Sequence, residues 1–365
     1  MFVIAWYSVN KFAKAAAGSG IPQLMAALEP ENIVDNKRLD FLLGIKVFVV
    51  KIVSSLIAAL GGAVIGREGP TIQLSASVFY LIHKFLPAKW PRISRERMLI
   101  AGGAAGLAAA FNTPLGGVVF VIEELSNTHI KYFRSSLLFA VVFAGMTAQV
   151  LLGPYLYLGY PNVDVSGLKV IPYVIIFSSL SAITGALISE LLLWIIQKKT
   201  KLKNDKYRAL FAAGCGLILA VLIYFGHELA IVSGKSIMAS LLFYDRVDMP
   251  WYLLPLRLAG MVVSYASGIA GGVFATSLSA GAALGYLLQD LFGIDTNSKI
   301  LLLVSMIGFL TGVTRSPFTS AVLVLEMTDR HSAIFYLMLA GVVSFIAART
   351  VSNRSFYHHL QKNYM

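Results

Sequence analysis

One carboxylate in this chain stands between two glycines in an apolar setting, Glu68 in the segment Gly66-Arg-Glu-Gly-Pro70. A lone ionisable side chain in such a setting is costly, so it indicates a transport role more than a structural one. Two further glycine-rich breaks interrupt apolar runs, Gly18-Ser-Gly-Ile-Pro22 and Gly268-Ile-Ala-Gly-Gly-Val-Phe-Ala275. Each break can start a helix inside a membrane, and the proline that ends the first two suits an opening helical turn.

Helix starts of this kind predict a binding site for a small anion. Backbone N–H groups at a helix N-terminus hold a dehydrated anion without the full positive charge that would trap it. Conduction requires binding that also permits release. We expect the N–H groups of Val273, Phe274 and the residues around Glu68 to face the anion, and Ser19 either to cap its helix or to turn its hydroxyl to the anion.

The elements that must position these breaks are membrane-spanning helices. The chain has 365 residues, of which 57% are apolar and 13% charged, and a soluble protein of this size carries more charge. Several apolar runs approach the roughly 20 residues that cross a bilayer. They cover 43–65, 135–152, 170–196, 210–225 and 332–348. The predicted fold class is therefore an all-α polytopic membrane protein.

The net charge of +12 lies mainly in short connecting segments, notably 84–97 and 198–208. Such loops usually face the cytoplasm, and no soluble domain is visible that would carry a nucleic-acid patch, so no nucleic-acid partner is expected. The single cysteine, Cys215, excludes a disulfide framework, and the adjacent pair His358-His359 lacks the spacing of a helical zinc site. We predict no enzyme activity, no metal and no cofactor.

An internal repeat divides the chain. Residues 112–125 resemble residues 315–328 without a gap, so that Pro114 aligns with Pro317 and Glu123 with Glu326. Matched halves with interrupted apolar segments are typical of transporters whose site lies near the bilayer midplane. We predict one transmembrane domain over 1–365, with related halves of opposite orientation at about 1–160 and about 165–365.

The three breaks resemble the signature motifs of the CLC family of chloride channels and proton-coupled chloride antiporters. Two downstream runs, 105–125 and 316–329, are similar to that family as well, as is Tyr357 at the start of the last helix. The resemblance covers nearly the whole chain in the expected order. It implies chloride as the bound substrate ion, exchange of chloride for protons, a lipid bilayer as surroundings and a homodimer with one pathway in each subunit.

The resemblance also implies residue roles. Glu68 would be the gate, occupying an anion position when ionised and leaving it when protonated, and Glu124 would be the intracellular proton-transfer residue. Glu123 has the repeat partner Glu326 and is expected to be structural. The implied anion-binding residues are Ser19, Gly20, Ile21, Arg67, Gly69, Val273, Phe274 and Tyr357.

Two basic residues near the breaks have less definite roles. Arg67 is expected to anchor its loop. Lys51 lies in an apolar run where the family has a buried lysine, and it would either bias the field toward anions or snorkel to the membrane surface.

The chain departs from the family pattern at its ends. Only seventeen residues precede Gly18, whereas CLC proteins have further helices there, so N-terminal helices are expected to be missing. The chain ends at Met365 without the nucleotide-binding modules of many eukaryotic members, which favours a prokaryotic-type protein of the bacterial inner membrane. A passive voltage- or proton-gated chloride channel and an inactive or truncated fragment remain the alternatives. A fluoride exporter is disfavoured by Ser19 and Pro70.

Overall fold

The computed structural model describes the chain except for residues 88, 91–92, 126–134, 154–155, 164–166, 203, 227–231, 245–248 and 295–297. Side chains 135 and 136 are also outside the described set. Arg92 and Lys203 of the two basic segments, and part of the predicted boundary between the halves, therefore lie outside the described residues. Within the described residues the chain is helical, and its extended pairing is limited to two isolated bridges.

Eighteen α-helices follow one another along the described chain. In the first half they are α1 Phe2–Phe12, α2 Ile21–Leu28, α3 Pro30–Ile33, α4 Asn36–Leu43, α5 Ile45–Leu60, α6 Glu68–Phe85, α7 Arg95–Phe111, α8 Pro114–Phe120 and α9 Ser135–Leu152. In the second half they are α10 Ile171–Thr200, α11 Asp205–Phe225, α12 Lys235–Phe243, α13 Leu253–Ala266, α14 Phe274–Leu291, α15 Lys299–Thr314, α16 Pro317–Thr328, α17 Ile334–Arg349 and α18 Phe356–Gln361. A π-helical turn, Val121–Leu125, continues α8.

Helices long and apolar enough to cross a membrane occur four times in the described chain. They cover Asn36–Leu60, Gly167–Thr200, Asp205–Phe225 and His331–Arg349. The apolar runs read from the sequence become α5, α9, α10, α11 and α17. The apolar run 43–65 extends beyond its helix, because Gly61 ends α5. Gly62 then takes a left-handed φ of 75° before the break that contains Glu68.

The predicted repeat is visible in the geometry of the chain. Asn112 ends α7 and Arg315 ends α15, and both take the left-handed conformation, with φ of 56° and 68°. A proline then starts the next helix in each half, Pro114 in α8 and Pro317 in α16. Equivalent residues therefore make equivalent turns in the two halves.

The equivalent helices α8 and α16 lie antiparallel and cap one another. Glu123, just beyond the C-terminal end of α8, accepts hydrogen bonds from the N–H groups of Phe318 at 3.1 Å and Thr319 at 2.7 Å, in the first turn of α16. Glu326, near the end of α16, accepts from Leu115 at 3.0 Å and Gly116 at 2.6 Å. Carboxylates satisfy the unpaired first N–H groups of a helix and its positive N-terminal dipole. The exchange of caps follows from the opposite orientation of the two halves.

Close packing in the membrane depends on glycines spaced four residues apart. A Cβ on Gly106 of α7 would lie 2.7 Å from the Cα of Ile72 in α6. In the second half the glycine is on the other helix of the equivalent pair, since a Cβ on Gly281 of α14 would lie 2.7 Å from the Cα of Met306 in α15. Small residues at these contacts let backbones approach and gain dispersion energy that lipid cannot provide. The helices that carry the breaks are thereby held rigidly.

The reciprocal caps give the first prediction. Replacing Glu326→Ala leaves the N–H groups of Leu115 and Gly116 without their acceptor, which should cost about 1–2 kcal/mol of unfolding free energy. We expect the melting temperature of the detergent-purified protein to fall by a few degrees. Glu31→Ala, at an exposed position on α3, is the matched control and should leave it unchanged. Equal melting temperatures for both variants would show that Glu326 does not stabilise the protein by capping α8.

Candidate anion-binding site

The three glycine-rich breaks meet through backbone hydrogen bonds. Gly66 and Gly272 exchange two N–H to carbonyl bonds, each 2.8 Å long. On the other side of the same segment, the N–H of Gly18 donates to the carbonyl of Ile269 at 2.9 Å, and the N–H of Gly271 donates to the carbonyl of Gly18 at 3.0 Å. The second-half break therefore runs between the two first-half breaks and pairs with both.

Four helix N-termini come together at this junction. α2 starts at Ile21 after Gly20, whose φ of 103° is open to glycine but strained for other residues. α6 starts at Glu68 and α14 at Phe274, while α18 starts at Phe356, next to Tyr357. The first N–H groups of a helix have no carbonyl partner within it. Their partial positive charges favour an anion at the junction.

Two glycines permit the close approach of these segments. A Cβ on Gly69 would overlap the Ser19 side chain and lie 2.8 Å from the Ser19 carbonyl oxygen. A Cβ on Gly272 would lie 3.0 Å from the Gly69 nitrogen. The glycines predicted from the motifs therefore bring Ser19 against the first turn of α6.

Buried polar atoms without a hydrogen-bond partner face this junction. Within the described residues, the Ser19 hydroxyl, both Glu68 carboxylate oxygens and the Tyr357 hydroxyl are buried and make no hydrogen bond. Such groups are costly unless something else satisfies them. Tyr357 lies within interaction range of Ser19 and Glu68, and its ring stacks on Phe274 with centroids 6.0 Å apart. Ser19, Glu68, Phe274 and Tyr357 therefore converge, as the sequence predicted.

Glu68 itself stands where the helix dipoles of α6 and α14 meet. Its backbone begins α6, and the backbone N–H of Ala275 in the first turn of α14 is close to its carboxylate. A carboxylate there lies in the field that would hold a halide. The predicted competition between Glu68 and an anion is therefore sterically and electrostatically reasonable.

Arg67 lies differently from the other predicted site residues. Its side chain is exposed, whereas Gly20, Ile21, Gly69, Val273 and Phe274 are buried at the junction. No hydrogen bond from Arg67 to its loop occurs among the described residues, so the structure does not support the predicted anchoring role. Its charge acts on Glu68 and on Lys235 at the start of α12. Arg67 lies at the outer edge of the site and not within it.

Lys51 supports the first break instead of snorkelling to the membrane surface. The side chain is fully buried in α5, and its ammonium group donates to the carbonyls of Ala16 at 3.1 Å and Gly18 at 2.8 Å. Gln23 of α2 holds the same stretch through the carbonyls of Ala15 and Ala17. The snorkelling alternative for Lys51 is thus wrong, because two loop carbonyls satisfy the charge internally.

A second buried cation, Arg257 of α13, was not predicted from the sequence. Its guanidinium donates to the Ser279 hydroxyl on α14 at 2.9 Å and to the carbonyl of Val232 at 3.1 Å. Arg257 lies seventeen residues before Phe274 in an apolar helix, so its charge within the run 253–266 was the available signal. The residue braces α14 behind its N-terminus.

Glu124 is buried away from the anion junction, on the π-helical turn after α8. The Ser316 hydroxyl donates to one carboxylate oxygen, and the Ser355 hydroxyl donates to the other at 3.3 Å. Its neighbour Glu123 turns to the helix cap of α16. The adjacent carboxylates therefore have separate environments, with Glu123 structural as predicted.

An aromatic wall flanks the junction. The rings of Phe111 and Phe120 lie 6.5 Å and 6.1 Å from the ring of Phe274, measured between centroids. Phe120 lies on α8, four residues before Glu124. These rings make the side of the junction that they cover apolar.

A cavity of about 410 Å³ reaches Ser19 from the side of the basic segment 198–208. Gly18, Ser19, Lys14, Lys199 and Arg208 are among its lining residues. The Lys199 ammonium donates to the carbonyls of Ala266 and Ser267 at 2.9 and 2.7 Å. The cavity therefore offers an anion a cationic approach to the buried hydroxyl of Ser19.

Comparison with known proteins agrees with this geometry. Residues 1–349 match the sequence model described as voltage gated chloride channel. The chain is 28% identical over 378 residues to the H(+)/Cl(-) exchange transporter ClcA of Vibrio vulnificus, an alignment that covers 98% of this chain and 76% of that protein. The same identity over 368 residues is found with ClcA of Vibrio cholerae, again with 98% and 76% covered.

Solved structures share the arrangement of helices. A slow cyanobacterial Cl-/H+ antiporter superposes with a TM-score of 0.84 at 23% identity, covering 100% of this chain and 84% of that one. A CLC-type fluoride/proton antiporter gives a TM-score of 0.73 at 18% identity, covering 99% and 95%. These likenesses establish the fold, including its two related halves. With the family match over 1–349, they show that this integral membrane protein belongs to the voltage gated chloride channel, or CLC, family.

Proposed function

We propose that this protein exchanges chloride for protons across the bacterial inner membrane. The observation that carries the proposal is the meeting of four helix N-termini with the unpartnered Ser19 and Tyr357 hydroxyls and the Glu68 carboxylate. Donors of this kind suit a chloride ion, because they are many, neutral and already fixed in position. The ClcA relatives, named as H(+)/Cl(-) exchange transporters, support the same function.

In the proposed mechanism, Glu68 and chloride compete for the same helix dipoles. Ionised Glu68 holds the position beside the N-termini of α6 and α14 and blocks the anion. Protonation removes its charge, so that the dipoles favour chloride and the side chain leaves. Because Glu68 and chloride exclude each other from this position, the movement of a proton is coupled to the movement of the anion.

Protons reach Glu68 from Glu124 by a route separate from the anions. Chloride enters from the cavity that ends at Ser19, whereas Glu124 lies on the π-helical turn after α8 and does not line that cavity. A carboxylate buried against two serine hydroxyls can take up a proton without offering a site to an anion. The separation favours an antiporter over the alternative of a passive channel.

No cofactor takes part, and a second copy of the chain forms the partner subunit of a homodimer.

The first prediction of this mechanism concerns Glu68. Glu68→Gln cannot ionise, so proton transport should fall to background while chloride flux continues. We would measure both fluxes together in liposomes, with a chloride gradient as the driving force. Glu31→Gln, exposed on α3, serves as the control and should keep normal coupling. Proton transport that persists in Glu68→Gln would show that Glu68 is not the gate.

The pH dependence of chloride flux provides an independent check on the gate. Protonation frees the anion position, so flux through the unaltered protein should rise as pH falls on both sides of the membrane. Glu68→Gln should lose this dependence and give a nearly flat profile. The measurement is chloride efflux from liposomes at equal internal and external pH. A steep profile in Glu68→Gln would place the controlling protonation elsewhere.

Chloride binding at Ser19 gives a further prediction. In Gly69→Ala, the added methyl group overlaps Ser19 and should displace its hydroxyl, weakening chloride binding about tenfold, equivalent to about 1.4 kcal/mol. Isothermal titration of the purified protein with chloride measures this affinity.

Gly214→Ala is the matched control, because no atom lies within 4 Å of the added Cβ. Ser19→Ala provides a second variant that removes the hydroxyl without overlap and should weaken binding in the same direction. Unchanged affinity in both site variants would mean that Ser19 does not contact the anion.

A further inference from the structure

His358 lies between Glu124 and the protein surface. Its Nδ1 is 3.9 Å from a carboxylate oxygen of Glu124, and this is the oxygen that accepts from the Ser355 hydroxyl at 3.3 Å. The Glu124 side chain is 4% exposed, whereas the His358 side chain is 37% exposed. The imidazole therefore connects a buried carboxylate with solvent through a single side chain.

The exposed side of His358 faces the same side of the membrane as the basic segment 198–208. His359, the next residue of α18, is hydrogen-bonded at 2.9 Å to Gln197, near the C-terminal end of α10. The basic residues that follow Gln197 predict a cytoplasmic location for this end of the protein. The two neighbouring histidines thus point to different partners, and His358 alone is paired with Glu124.

Two carboxylate groups act on His358. Glu124 faces it from the π-helical turn, and Glu29, between α2 and α3, acts on it from another side. Glu29 is itself held by Gln361 of α18 at 2.6 Å. Partial burial lowers the pKa of His358, and the negative charge of Glu29 offsets part of that effect. An imidazole with a pKa on the low side of its usual range is largely neutral at neutral pH and can both accept and donate a proton.

We propose that His358 is the proton-transfer residue that supplies Glu124 from the cytoplasm. This inference rests on the exchange function proposed above and assigns the step before Glu124. A proton from water binds the imidazole, and a proton then passes from Nδ1 to the Glu124 carboxylate, leaving neutral imidazole and a carboxylic acid. The gap of 3.9 Å is closed by a small side-chain rotation or by one water. Chloride takes no part in this step, because the cavity that reaches Ser19 is lined by neither His358 nor Glu124.

The experiment compares His358→Gln with His359→Gln in liposomes, measuring chloride and proton fluxes together. His358→Gln should lower proton flux by about tenfold at neutral cytoplasmic-side pH, with a smaller fall in chloride flux, so that fewer protons move per chloride. The deficit should shrink as that pH falls, because water then protonates Glu124 directly. Added imidazole should restore part of the proton flux. His359→Gln should behave like the unaltered protein.

Each other outcome has a definite reading. Equal fluxes and pH profiles for His358→Gln and His359→Gln would overturn the proposal. So would a parallel fall of both fluxes in His358→Gln that imidazole does not restore, since that result indicates a structural role. If the unaltered protein moves chloride without protons, the exchange function itself fails, and this is distinguishable because the fault then appears before any substitution is made.

Discussion

The backbone pairing of one short segment with two others is the constraint on which the site depends. Residues 268–275, from the second half of the sequence, exchange main-chain hydrogen bonds with Gly18 on one side and with Gly66 on the other, both from the first half. The paired backbones hold three helix N-termini, those of α2, α6 and α14, next to one another. Because the bonds involve only main-chain atoms, they fix geometry and leave the side chains of Ser19 and Glu68 unpartnered for ions.

Separation of the two ions follows from how the helices leave this junction. The anion approach is lined by N–H groups, hydroxyls and cations, and ends at Ser19. The carboxylate of Glu124 does not line this approach and has serine hydroxyls around it. A buried carboxylate repels an anion, whereas the cations that line the cavity attract one.

Much of this arrangement could be predicted from sequence. The breaks, the repeat and the distinction between Glu123 and Glu124 were visible because glycine, proline and buried glutamate have few alternative roles in an apolar run. Contacts between distant residues could not be predicted in the same way. Lys51 meets carbonyls 33 and 35 residues away, and Glu124 meets Ser316 192 residues away, so no local pattern reports either pairing. The exposure of Arg67 could not be predicted either, because a motif gives the identity of a side chain but not the direction in which it leaves the loop.

The exchanged glutamate caps have a consequence for synthesis of the chain. The N–H of Leu115 is capped by Glu326, which lies 211 residues further along the chain. At about 5–20 residues per second, translation needs roughly 10–40 s to deliver it. During that interval the N–H groups of Leu115 and Gly116 lack their carboxylate acceptor. The first half therefore completes its hydrogen bonding only after the second half has been synthesised.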